Sequence, residues 1–402
     1  MLRRYMVNTD TNASAETFSG LVDFHKRDKY ILKKKDPFTY PAQNVITVLK
    51  DSILSIFNSG VWRTFAIDND MELSAANLDT GNSFLVGSDY YIYLVDDDED
   101  GLLVISANSS FPLGQNANNS RKIGGFHFGH IRCTNDKYVP ISPNGSVFGT
   151  DGVGWKQNVI AGGIIPNSVW DLYNRPLCSP EGMALVGNIW IDIYPSSVAE
   201  AISFETGNNG AAFAANGKLQ SKYGLVPATG SEGLNWYSFS ELASRSGKRL
   251  ITYSEWIRAA YGNPGGQDAA DDYGWTKINN TSRARAGCQV NASGVFDAQS
   301  NIKRYAISAH NLCDCVGNVY EWIDELSIWD GSVIDFAWQD VLGTDKGKLY
   351  ATNNIGLRAF ICGGYWGNGV NAGSRTVSLN YYSPWHVSTN FGVRLACDKL
   401  AG

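Results

Sequence analysis

Two short helices standing five residues apart constrain this 402-residue chain more than any other feature. "SFSELASRSG" carries Ser238 with Glu241 three residues on and ends at Gly247, and "TYSEWIRAAYG" repeats the pattern with Thr252, Glu255 and Gly262. A hydroxyl followed three residues later by a carboxylate lets each side chain bond the other's orphan amide, and the closing glycine supplies the left-handed residue that stops the helix. Around these helices the chain reads as strand or as long glycine- and asparagine-rich loop, such as "TGNNGAAFAANG" from Thr206 to Gly217, with no repeat period. Loops of that length in a compact domain are functional or disordered. The expected fold class is α+β.

Three regions follow from the pattern. Residues 1–45 are polar, with a basic run "HKRDKYILKKK" from His25 to Lys35, and read as an N-terminal arm or small accessory module with a solvated charged face. Residues 46–158 carry short β-like runs and read as a β-sandwich-like domain. In "SDYYIYLVDDDEDGLLVIS", Tyr90, Ile92 and Leu94 alternate with Tyr91, Tyr93 and Val95, and two apolar strands flank an acidic turn. The consecutive carboxylates Asp96 to Asp100 lack the alternate-residue ligand spacing of a calcium loop, so they are expected to be a solvated hairpin tip. A glycine-rich joint, "GTDGVGW" from Gly149 to Trp155, leads into residues 159–402, which are richer in tryptophan.

Charge and cysteine usage exclude several functions. A net charge of −6 gives no basic surface to neutralise a phosphate backbone, so nucleic acid is not an expected partner. No apolar run is long enough to span a bilayer, and "MLRRYMVNTDTNASAE" shows no signal peptide, so no membrane insertion is expected. The seven cysteines, Cys133, Cys178, Cys288, Cys313, Cys315, Cys362 and Cys397, are too scattered for a dense disulfide framework and read mainly as buried thiols. Cys313 and Cys315 would share one face of a strand, but no second pair completes a zinc site. His127 and His130 form an HxxH spacing without a glutamate-flanked helix, and with His310 they read as structural histidines. No metal, cofactor or catalytic residue is expected.

The stretch "GGYWGNGVNAGSRTVSLNYYSPWHVSTNFGVR", Gly363 to Arg394, holds one charge before its final arginine, Arg375, and no Lys, Asp, Glu, Gln or Met. Tyrosines interleaved with Ser, Gly and Asn suit a binding surface, because a rigid two-torsion aromatic gives contact area while the small residues adapt their hydrogen bonds. Four segments, "GKRLITYSEWIRAAYG", "CVGNVYEW", "RAFICGGYW" and "NFGVRLAC", occur in an order that resembles the formylglycine-generating-enzyme branch of the C-type lectin fold. Gly363-Gly364-Tyr365-Trp366, Gly373-Ser374-Arg375, Pro384 and Phe391-Gly392-Val393-Arg394 through Cys397-Asp398 are similar to the variable proteins of diversity-generating retroelements, among them a phage tail-fibre-tip receptor binder. "SVWDLYNRP", "PEGMALVGNIWIDIY", "SDYYIYLVDD" and "RKIGGFH" extend that likeness into the preceding β-rich domain, whereas the first 45 residues are not covered.

The resemblance implies a C-type lectin domain over 159–402, with a C-terminal variable region at 363–392. In such proteins adenine-directed mutagenesis rewrites AAC or AAT codons, which never yield Lys, Glu, Gln, Met or Trp. On this reading Tyr365, Gly367, Asn368, Val370, Asn371, Ser378, Asn380, Tyr381, Tyr382, His386, Ser388 and Asn390 form the ligand-binding surface. Trp366, Arg375, Trp385 and Arg394 form the scaffold beneath it. The resemblance further implies a host-surface receptor, expected to be a protein, a homotrimer, and a place at a virion tail-fibre tip or cell surface. Two other readings are a formylglycine-type oxidase, which needs a cysteine pair that this segment lacks, and a calcium-dependent sugar lectin, whose EPN or QPD triad is missing.

Overall fold

The structure is a computed structural model describing residues 2–5, 38–58, 61–97, 101–132, 160–206, 212–263, 283–287, 306–329, 337–339, 349–351, 355–379 and 381–400. The basic run His25–Lys35, the joint Gly149–Trp155, Cys133, Cys288, Asp98 to Asp100 and Asn380 lie outside the described residues, as do the side chain of Val370 and part of the loop after Thr206. Contacts divide the chain into two units: one runs to Phe128 and adds Val169–Arg175, and the other comprises Gly129–Ser168 and Pro176–Leu400.

The chain opens with strands β1 (Leu2–Tyr5), β2 (Phe38–Ala42), β3 (Val45–Val48), β4 (Ile53–Asn58), β5 (Val61–Ile67), β6 (Met71–Leu73), β7 (Ser88–Asp96), β8 (Gly101–Ser106) and β9 (Ser120–Ile131). Next come β10 (Ile160–Ile164) and β11 (Trp170–Asp171). In the first unit they pair as β1-β5-β4, as β2-β3-β6 and as β9-β7-β8, with β11 added to β9. The β7–β8 hairpin forms where the alternating aromatics predict it, with Tyr91 opposite Ser106 and Asp96 opposite Gly101. Asp96 departs from the expected solvated tip: it is 2% exposed, because Arg63 donates to it at 2.7 Å and the Asn58 amide at 3.0 Å.

In the second unit, β12 (Met183–Val186), β13 (Ile189–Asp192), β14 (Ser196–Thr206) and β15 (Ala212–Ser221) precede helix α1 (Trp236–Arg245), β16 (Arg249–Leu250) and helix α2 (Tyr253–Ala259). Then follow β17 (Tyr320–Trp329), β18 (Ala337–Gln339), β19 (Leu349–Ala351), β20 (Gly356–Cys362), β21 (Val377–Ser378), β22 (Phe391–Val393) and β23 (Leu395–Asp398). They build a sheet β12-β13-β23-β16, a sheet β18-β19-β21-β20-β17-β22, and the hairpin β14–β15. Strand dominates, and α1 and α2 are the α-helices among the described residues, so α+β holds only loosely.

The α2 cap is the expected box: the Glu255 amide donates to Thr252 Oγ1 at 3.4 Å, and the Thr252 amide donates to Glu255 Oε2 at 3.0 Å. The α1 cap is not. Its N-cap is Asn235, whose Oδ1 accepts the Ser238 amide at 3.0 Å, and Ser238 lies buried inside the helix. Starting the helix three residues earlier brings Trp236 and Phe239 into the core, where the Trp236 indole donates to the Ile323 carbonyl at 2.7 Å. Cys313 and Cys315 are fully buried as expected, but Cys313 forms an isolated bridge to Ile307 and Cys315 lies in a bend, so they do not share one strand.

Arg394 joins the two main sheets of this unit. It is the single residue between β22 in one sheet and β23 in the other, and its side chain is entirely buried. Its guanidinium donates to the carbonyls of Asp192, Ile193 and Cys313 at 2.7, 2.8 and 2.6 Å and to Glu321 Oε1 at 2.8 Å. The Trp256 indole from α2 donates to the other Glu321 oxygen at 2.6 Å. Burial pushes the Glu321 carboxyl upward, and Arg394 and Trp256 act against that shift. With both partners desolvated, losing either one leaves the other as an uncompensated buried charge.

Candidate binding surface

The segment between β20 and β22 leaves the sheet at Gly363 and Gly364, whose φ of 88° and 83° are left-handed values that glycine adopts without strain. A Cβ would also lie 2.5 Å from the Cys315 carbonyl at Gly363 and 2.8 Å from the Ala372 Cβ at Gly364. The chain then makes a 3-10 turn at Gly369–Asn371, returns as β21 against β20, and crosses a non-regular stretch to Phe391. Asn318, itself left-handed at φ 58°, accepts the Trp366 amide on its carbonyl at 3.1 Å. Its side chain meanwhile accepts from Ala284 at 2.8 Å. A short amide side chain tolerates that conformation, which accounts for asparagine after Gly317.

Neighbouring elements hold this segment by its main chain. The Ala359 amide donates to the Tyr382 carbonyl at 3.0 Å and the Trp236 amide to that of Pro384 at 3.0 Å. The Gly230 amide donates to Ser388 at 2.9 Å, and the Tyr320 amide to Asn390 at 2.8 Å. Gly230 permits this approach, since a Cβ there would sit 2.4 Å from the Ser388 nitrogen. Gly230 belongs to a turn capped by Thr229 and Glu232, and Arg283 fixes that turn with an ion pair to Glu232 at 2.6 Å.

Side chains of the segment form an aromatic ridge. Tyr381 meets Tyr382 edge-on at 4.3 Å, Tyr382 lies 4.9 Å from His386 and 4.4 Å from Phe391, and Tyr365 is 5.5 Å from Tyr320. Tyr365, Asn368, Asn371, Tyr381, Tyr382, His386, Ser388 and Asn390 are each half-buried, and Gly367 is exposed. Burial among these rings lowers the His386 pKa. Asn368 Oδ1 accepts the Tyr365 amide at 2.9 Å, and the Ser388 hydroxyl donates to Asn390 Oδ1. Arg375 is half-buried and supplies the one charge in the ridge's neighbourhood within the segment; its carbonyl accepts the Tyr253 hydroxyl at 3.4 Å.

Two expected placements change. Ser378, expected on the surface, is 3% exposed, because β21 lies between β19 and β20 and sets Ser378 opposite Ile361. Trp385, expected in the scaffold, is 54% exposed: its neighbour Pro384 turns inward to receive the Trp236 amide, and the indole stays outside. Trp366 at 8% and Arg394 at 0% exposure are buried. Val387, 46% exposed beside Trp385, is a surface residue that the residue-type argument overlooked. A signal existed in "PWHVS", where Trp385 and Val387 alternate with His386 around one buried proline.

Residues 101–399 match the sulfatase-modifying factor enzyme 1-like domain, and the chain belongs to that family, a relationship of fold. Residues 36–156 match the family described as the Mtd second domain. The tail fiber receptor-binding protein of Bordetella phage BPP-1 is 27% identical over 334 residues, covering 82% of this chain and 76% of that protein. Among solved structures, the major tropism determinant P3c variant aligns with a TM-score of 0.61 at 24% identity, over 94% of this chain and 88% of its own. The I1 variant aligns at 0.62 and 24%, with the same coverage. The chain thus has the fold of the major tropism determinants, with a C-type-lectin-like domain of the sulfatase-modifying type.

Proposed function

We propose that this chain is a hypervariable receptor-binding protein of a phage virion, diversified by a retroelement through the codons of residues 363–392. One observation carries the reading: the segment is held by main-chain hydrogen bonds to Tyr382, Pro384, Ser388 and Asn390, while its aromatic and small polar side chains line the surface. A bond to a backbone carbonyl survives replacement of the side chain beside it, so the surface can be rewritten without losing its frame. The named relatives, a tail fiber receptor-binding protein and the tropism determinants, support the same conclusion.

On this reading residues 1–45 are an accessory module, 46–158 a β-sandwich-like domain and 159–402 the lectin-type domain. The contact residues are Tyr365, Gly367, Asn368, Asn371, Tyr381, Tyr382, His386, Ser388 and Asn390, joined by Trp385 as a fixed aromatic. The partner is a protein on the host surface, the assembly a homotrimer, and the location a tail-fibre tip. On this reading the chain does no catalysis: a formylglycine-type oxidase needs a cysteine pair within this segment, and residues 363–392 hold no cysteine.

The neighbouring genome tests this. A near-identical template repeat should differ from the codons of Tyr365, Asn371, Tyr381, Tyr382 and His386 at adenines, sparing Trp366, Arg375 and Trp385. Differences spread over all four bases would sink the reading.

A further inference from the structure

Cys178 and Cys397 face each other across an antiparallel pairing at the end of β23. Pro176 bridges Lys399, and the Leu177 amide donates to the Asp398 carbonyl at 3.0 Å, so the same register sets Cys178 opposite Cys397. Opposed residues in such a ladder have Cα atoms about 4.5–5.5 Å apart. That lies inside the roughly 4.4–6.8 Å that a disulfide spans. Both cysteines are free thiols here, and the Cys178 amide donates to Cys397 Sγ at 3.3 Å.

The surroundings favour a thiolate at this place. The neighbouring Cys178, the Cys178 and Leu177 amides and the Lys248 ammonium bring the Cys397 thiol down to about 6, while the same pairing and burial push Cys178 upward, so Cys397 is the member favoured as thiolate. Lys248 is itself buried against Asp192 at 2.5 Å. Cys178 is half-exposed and follows Leu177, which is 63% exposed, whereas Cys397 is 4% exposed, so a small reagent must approach Cys397 past Cys178 at the sheet edge. Cys315 and Cys362, by contrast, are buried thiols pushed upward by desolvation.

We propose that Cys178 and Cys397 are a redox pair that closes into a disulfide in an oxidising medium, stapling β23 to the segment before β12. The oxidant is a small disulfide such as oxidised glutathione. The Cys397 thiolate attacks one of its sulfurs, its S–S bond breaks, and one thiol leaves. The Cys178 thiol then attacks the Cys397 sulfur as its proton passes to the departing group, forming the protein disulfide and releasing the second thiol. The two protons lost by the protein end on the two released thiols, and its two electrons reduce the small disulfide. The bond would join positions 219 residues apart and pin the strand that follows Arg394. This inference is independent of the function proposed above.

Full-length protein equilibrated with oxidised glutathione should lose two of its seven titratable thiols and about 2 Da relative to the reduced protein. Peptide mapping should return a single cross-link, Cys178 to Cys397, and the oxidised form should melt about 5 °C or more above the reduced one. Cys178→Ser, at the half-exposed position, should fold, retain the reduced melting temperature and show no cross-link. Seven thiols still titratable, a glutathione adduct without a cross-link, or a bond between other cysteines would each overturn the proposal.

Discussion

At the residue scale, the two tryptophans of the 363–394 segment separate packing from display. Trp366 is 8% exposed and packs beside Tyr365 at 5.2 Å, so Trp366→Ala should cost about 3 kcal/mol or more in urea unfolding. Trp385, 54% exposed, should cost about 0.5 kcal/mol or less. Equal losses would place both in the core. Residue type alone could not separate them, because exposure here depends on which way the neighbouring proline turns. His310 supplies a pH term. Burial lowers its pKa to about 4, so the native state binds fewer protons than the unfolded chain below the ordinary value near 6.5. Its contribution is complete above pH 6.5 and is lost as pH falls toward 4, by at most about 3 kcal/mol. His310→Gln should therefore flatten that part of the stability–pH curve relative to wild type, measured by urea unfolding at pH 7, 5.5 and 4. Parallel curves would show that His310 titrates like a free histidine.

At the element scale, local signals were legible and non-local ones were not. Thr252 and Glu255 sit one helical turn apart, and their box could be read from sequence because it depends on nothing else in the chain. The same rule placed the α1 cap at Ser238, but burial of Trp236 and Phe239 starts that helix at Asn235 instead. Asn235→Ala should thus destabilise the protein by about 1 kcal/mol. Glu241→Ala, which removes an exposed pair with Arg245, should cost about 0.5 kcal/mol or less in the same thermal unfolding assay. The reverse ranking would restore the Ser238 cap. Ser378 escaped for a similar reason: its burial comes from β19 and β21 pairing in parallel, Leu349 with Val377, which no spacing within residues 363–392 encodes. The ordered motifs gave the lectin-type fold because Asn318, Glu321, Gly363 and Arg394 each meet a requirement that few residue types satisfy: a left-handed backbone, a buried counter-ion, a close approach, a five-donor fork.

At the scale of the whole molecule, the shape of the binding surface bears on assembly. The aromatic ridge of Tyr365, Tyr381 and Tyr382 is half-buried: Tyr365 packs on Tyr320, Tyr382 on Phe391 and Tyr381 on Tyr382 within the chain. One such ridge offers a partner limited new area, and on the proposed function chance substitution would seldom enlarge it. Tethering several copies raises apparent affinity by roughly 10² to 10⁴ without any added contact, provided that the geometry lets the copies engage together. A closed threefold arrangement presents identical surfaces at one end and leaves no open interface from which a filament could grow. The full-length protein is therefore expected to be a homotrimer, with light scattering at micromolar concentration returning three times the 43.9 kDa chain mass. A mass of one chain at that concentration would reject the trimer. Avidity would then have to come from whatever structure carries the protein, and a monovalent measurement on the isolated chain would report its full intrinsic affinity.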